Sequence, residues 1–204
     1  MQRLTEQHPL RRGAHSTRAD GMCAMEMVAW LAGEPHSDEP RCACPVLAAL
    51  TRACNDAMSD DARNRHLRPL VPMLVNTRRT AAVERERGML VLDHVVRVLM
   101  PAALKRRHRH AEARFVEQMP AVVDLDTARA ALRAFEHFAP THHAAIWTLQ
   151  RAVDGSAPAR YVAGAVHVAR TAMGPETWAG MAHLIETMAL AEGRAESREA
   201  VADE

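Results

Sequence analysis

Apolar residues recur every three or four positions through almost the whole chain, and no stretch of useful length alternates between apolar and polar. That period places apolar side chains on one stripe of a helix, whereas a half-buried strand needs a period of two. Prolines and glycines then cut the pattern into segments. The reading is all-α: a single-domain helical bundle of about seven to nine helices. Helices are expected over 20–32, 45–58, 60 to about 67, 80–99, 102–118, 127–138, 141–153, 158–173 and 175–191. Asp20, Ser59 or Asp60, and Asp126 are the expected caps, and Pro45 suits a first helical position. Pro101 is expected to kink or end the long helix before it.

Composition agrees with close-packed helices. Alanine makes up about a fifth of the chain and aromatics 3%, and alanine is the best helix former. Twelve methionines are expected to supply core volume that aromatics do not. The net charge is +1, without the basic excess of a dedicated nucleic-acid binder. The run KRRHRH at 105–110 is the one dense basic patch; helical spacing spreads its charges, and no aromatics are interleaved for base stacking. Charges interrupt the apolar stretches well before the roughly 20 residues that span a bilayer. The first residues have no apolar core of a secretory signal, so a cytoplasmic protein is expected.

Three regions are expected: a flexible leader over 1–19, a helical domain over 20–191, and a flexible acidic tail over 192–204. The domain reads as two lobes, about 20–118 and 126–191. Neither is long enough to bury a generous core alone.

The segment GEPHSDEPRCACP, residues 33–45, gathers the chemistry. Three prolines in it exclude a helix, and a polar loop between apolar helices is a common place for function. Cys23, His36, Cys42 and Cys44 are the donor types of a tetrahedral zinc site, although the C-x-C spacing departs from the usual C-x₂₋₄-C. Glu34, His36, Asp38 and Cys44 form the candidate catalytic set. In it Cys44 lies at a helix N-terminus, which favours a thiolate, and His36 supplies a base. Without catalysis, the cysteines are small buried side chains and the acids are caps. The four cysteines, with Cys54, are expected as free thiols or ligands rather than as disulfides.

Glu26 lies between Met25 and Met27 and is expected to face water; the alternative turns it toward Arg41 or the loop. His142 and His143 are expected at the surface, and His167 and His183 as hydrogen-bonded core residues. Asp93 and His94 are adjacent on a helix and point in different directions. No Gly-rich phosphate loop, G-x-S-x-G elbow or H-E-x-x-H is present.

Residues 23–77 carry three recurring pieces: CAMEMVAWLAGEPHSDEPRC, the triplet Cys54-Asn55-Asp56, and LRPLVPMLVNT. The stretch resembles a family of uncharacterised helical proteins from actinobacteria and their phages, with a CxMExVAxxAGEPxSDxPxC pattern. There a tryptophan precedes the Asn-Asp pair. The later VVDLD, residues 122–126, belongs to the same pattern. The resemblance implies a bacterial protein and supplies no activity. The function expected is a binding or accessory protein with the 33–45 loop as recognition surface. The alternatives are a metal- or thiol-dependent enzyme at that loop, and a homodimer built through the Ala-rich late helices. A protein or small-molecule partner is expected, with no nucleic acid and no membrane.

Overall fold

The structure, a computed structural model, describes residues 7–172, 174 and 176–191. The tail expected over 192–204 lies outside them, as do residues 1–6. The described residues are all-α, with no strand among them; most of the expected helices are present with short turns added, and those expected over 102–118 and 158–173 are each divided. In chain order they are α1 (Ala24–Leu31), α2 (Pro45–Ala57), α3 (Asp60–His66), a 3₁₀ turn (Arg68–Leu70), α4 (Val71–Leu74) and α5 (Ala81–His94). A π-helical turn (Val95–Leu99) leads into α6 (Met100–Arg106). Then come α7 (His110–Glu117), α8 (Leu125–Phe138), α9 (His143–Val153), α10 (Pro158–Tyr161), α11 (Gly164–Ala172) and α12 (Thr177–Leu190).

Helix α2 is the hub. It buries Val46, Leu47, Leu50, Thr51, Cys54 and Asn55, and packs against α1, α5, α10, α11 and α12. One continuous core therefore runs from Leu10 to Met188 across both expected lobes. Small residues let the helices approach closely. At Gly88 of α5, an added Cβ would collide with the Tyr161 hydroxyl and lie 2.9 Å from Pro158 Cβ. At Gly164 it would meet the Thr148 hydroxyl and lie 3.2 Å from the Trp147 ring.

Several boundaries differ from expectation for identifiable reasons. α1 starts at Ala24, not near Asp20, because Cys23 is its N-cap; Asp20 instead accepts from the backbone N–H and hydroxyl of Thr17. α8 is capped by Asp124 rather than Asp126, through a reciprocal bond pair with Thr127. Pro101 does not end the helical path, which runs on through α6. It has no N–H for the carbonyl four residues back, so the preceding turn widens and Met100 N–H reaches Val95 O. The basic run breaks at His108, whose φ is 59°. The helix expected over 158–173 is two pieces, α10 and α11.

The leader also differs. Residues 7–19 lie across the N-terminal helices, and Leu10 is only 1% exposed. Leu10 N–H donates to Asn64 Oδ1, Gly13 N–H to Asp56 Oδ1, and Arg11 N–H to Met22 O. Asn55 Nδ2 returns a bond to Arg11 O.

Two buried arginines close helix ends. Arg63, 1% exposed, donates to Asn55 O and Met58 O at the end of α2. Arg87, 2% exposed, donates to Met188 O and Ala191 O at the end of α12 and to Thr77 O. Each puts a cation where a helix presents its unsatisfied carbonyls. Arg87→Lys keeps the charge but loses the planar fork that reaches three carbonyls. It is expected to cost about 2 kcal/mol in chemical denaturation, with amide exchange rising first in α12.

His94 gives a second test. It is partly buried beside α12, with its Nε2 buried and unpartnered. Burial, opposed by Asp93 and reinforced by His183, lowers its pKa from 6.5 to about 4. The unfolded chain thus takes up this proton at higher pH than the fold does. The stabilising effect of a neutral His94 is complete above the unfolded value and is lost as pH falls from 6.5 toward 4. The loss is on the order of 2 kcal/mol at pH 5. His94→Leu should flatten this part of the stability–pH curve.

Candidate functional site

The surroundings of the 33–45 loop are organised by Glu26, which is 1% exposed rather than facing water. It is the third residue of α1, and together with Cys23 it forms a capping box. Cys23 N–H donates to Glu26 Oε2 at 2.7 Å, and Glu26 N–H donates to Cys23 Sγ at 3.4 Å. The same carboxylate reaches the leader. His15 N–H donates to Oε1 at 2.5 Å, and His15 Nδ1 lies 2.8 Å from Oε2. It also reaches the loop, with His36 Nε2 at 3.5 Å from Oε1. Burial acts to raise the Glu26 pKa. The backbone N–H groups of His15 and Cys23 and the His15 ring outweigh it and hold the carboxyl below its ordinary value. The turn toward Arg41 is not seen.

His36 donates from Nε2 to His15 O at 3.0 Å, and its Nδ1 is buried without a partner. Glu34 is a clamp across the loop: Oε2 accepts from Arg41 N–H at 2.6 Å and Oε1 from Cys42 N–H at 2.8 Å. Partial desolvation acts to raise the Glu34 pKa, but these bonds, the Cys42 thiol and the Arg41 charge bring it below the ordinary value. Asp38 and Glu39 meet Arg52 of α2, which donates from Nη1 to Asp38 O at 2.7 Å and lies 3.1 Å from Glu39. The end of the loop is pinned by Cys44 N–H on Thr77 Oγ1 and by Arg78 N–H on Cys42 O.

The cysteines do not converge. Among the described residues no group of three or more His, Cys, Asp or Glu side chains is placed to hold a metal ion. The expected set of Cys23, His36, Cys42 and Cys44 is thus not assembled: Cys23 caps α1, His36 turns to Glu26, and Cys44 is fully buried at the start of α2. Burial pushes the thiols of Cys23 and Cys54 up to about 12, and burial followed by the Glu34 charge raises Cys42. None of these three is a ready thiolate. The candidate catalytic set is likewise dispersed. Glu34 and Asp38 hold loop backbone and α2, and Cys44 has no hydrogen bond to His36. His15 and Glu26 form a carboxylate–imidazole pair, yet no hydroxyl or thiol is bonded to His15 among the described residues. The hydrogen bonds of this arrangement hold the leader, the start of α1 and the loop in place.

Three of the four remaining candidate histidines sort differently from expectation, and His143 lies at the surface as expected. His167 and His183 are exposed, while His142 is buried and His143 exposed. Asp93 pairs with Arg97 and accepts Val122 N–H, so it does not serve His94 as a partner. Periodicity alone did not mark Asn55, Thr77, Arg63 or Arg87 as organising residues. The Asn-Asp and LVNT pieces were the available signal for the first two, and nothing local marked the arginines. Comparison with protein-family models, with curated proteins and with solved structures gives no match.

Glu26→Gln replaces an acceptor on one side with a donor that faces N–H groups. It is expected to lower stability by about 2 kcal/mol, read by urea denaturation. It should also hasten tryptic cleavage at Arg11, Arg12 and Arg18 by releasing the leader. Equal cleavage of variant and parent would remove Glu26 as the tether.

Proposed function

We propose that the chain is a helical binding or accessory protein and that the outer face of the 33–45 loop is its recognition surface. The observation that carries this reading is the Glu34 clamp, with Arg52 and His36 adding two further anchors. The inward polar groups hold the loop backbone, while Pro35, Glu39 and Arg41 face solvent. A loop already held in one shape loses less conformational entropy on binding than a mobile one. The exposed charges suit a protein partner with a complementary rim. No helix of the described residues is long and apolar enough to cross a membrane; a cytoplasmic setting is part of the proposal. A bacterial origin follows from the sequence resemblance and stays within this proposal.

A second reading, a homodimer, draws support from Phe115 and Phe138. Their rings lie 4.5 Å apart and are 42% and 41% exposed. This pair sits on α7 and α8, not on the last helices. It predicts a concentration-dependent mass in sedimentation, abolished by Phe115→Glu.

The loop reading is tested with a photo-crosslinking residue at Glu39 and a competitor bearing Glu39→Arg and Arg41→Glu. These changes leave the Glu34 clamp, which uses backbone N–H groups, in place. A discrete adduct suppressed by excess parent protein, and not by the competitor, supports the surface. An adduct suppressed equally by both, or no adduct, overturns it.

A further inference from the structure

Between α6, the start of α9 and α11 lies a cavity of about 190 Å³, lined by Met100, Arg107, Thr141, His142, Val168 and Thr171 together with the first residues of α9. It shares no residue with the 33–45 loop, and it does not rest on the reading of that loop.

Three observations there point to an anion. First, α9 begins without a side-chain cap. His142 holds the N-cap position and offers no cap bond. The N–H groups of His143 and Ala144 have no acceptor among the described residues, and the next, Ala145 N–H, turns back to His142 O. Second, His142 is 6% exposed, and its Nε2 is buried, unpartnered and part of the cavity lining. A buried polar nitrogen without a partner costs free energy that a ligand would recover. Third, Arg107 lines the cavity without an ion pair among the described residues, and no carboxylate lines it. The local potential is positive. After burial itself, the charges of Arg107, Arg109 and His143 hold the His142 pKa below its ordinary value.

We propose that this cavity binds the phosphate group of a small phosphomonoester. The phosphate oxygens accept from the free N–H groups of α9, the Arg107 guanidinium and His142 Nε2–H. Uncapped helix N-termini bind phosphate through their N–H groups and dipole, and a guanidinium adds charge-assisted bonds. The organic part of the ester rests on the apolar side chains of Met100 and Val168. The cavity is larger than a lone tetrahedral oxyanion requires, which favours the ester over free phosphate.

The test is calorimetric titration of the full chain with inorganic phosphate and with phenyl phosphate, read in parallel from the His142 ring resonance. Both anions should bind, phenyl phosphate the tighter, with a Kd of about 1 mM or below. Arg107→Ala, a change at an exposed side chain, should weaken binding about tenfold. His142→Asp places a carboxylate on the same N–H groups. It should abolish binding while the melting temperature holds or rises, which separates loss of the site from loss of the fold. No movement of the His142 resonance by about 20 mM phosphate, or parental affinity in Arg107→Ala, overturns the site. Tighter binding of inorganic phosphate than of phenyl phosphate overturns the ester.

Discussion

Two guanidinium groups with almost no solvent contact hold the ends of two helices. Arg63 sits on the last carbonyls of α2, and Arg87 on those of α12 and on Thr77. A chain this poor in aromatics has few large side chains to fix helix positions by shape alone. Small residues allow close approach, as at Gly88 and Gly164. Close approach of smooth surfaces specifies register poorly, so directional bonds have to supply it. Charged donors on helix-end carbonyls serve this well, because they satisfy groups that the helix itself leaves open.

The same logic runs through the N-terminal region. Glu26 joins the leader, the start of α1 and the loop; Glu34 closes the loop on itself; Asn55 and Asp56 receive the leader; Thr77 takes the N–H of Cys44. Apart from the leader, these residues all lie within 23–77. Read through their contacts, that stretch is a set of interlocking hydrogen bonds. Its cysteines fit the same description. One is a cap, two more are fully buried, and Cys42 lies against the Glu34 clamp.

The helices were legible because the apolar period is strong and the prolines punctuate it. Pro45 opens α2 and Ser59 caps α3 as their sequence positions suggest. Asp20 is a better acceptor than a thiol, so the sequence points to it as the cap of α1; the cap is Cys23. Yet Cys23 has a glutamate three residues on, the spacing that a capping box requires. The site was less legible. Whether a carboxylate in an apolar helix faces water or a partner depends on what the rest of the chain brings to it, and His15 arrives from the leader. His142 was assigned to the surface for its place in a first helical turn. The structure sets it in a cavity with Met100, Arg107, Val168 and Thr171, which local sequence cannot report. The long-range arginine contacts were invisible for the same reason.

Arg87 has one more implication, for the order in which the protein assembles. Its acceptors Met188 and Ala191 lie 101 and 104 residues further along the chain. As the polypeptide leaves the ribosome, α5 is complete long before α12 exists. Until then Thr77 O is the one of its three carbonyl acceptors already made. Contacts this distant in sequence are entropically expensive to make early. The N-terminal helices can therefore associate before α12 has been made, and their packing against it has to wait until α12 has left the ribosome. Docking of α12 is then a late step in assembly.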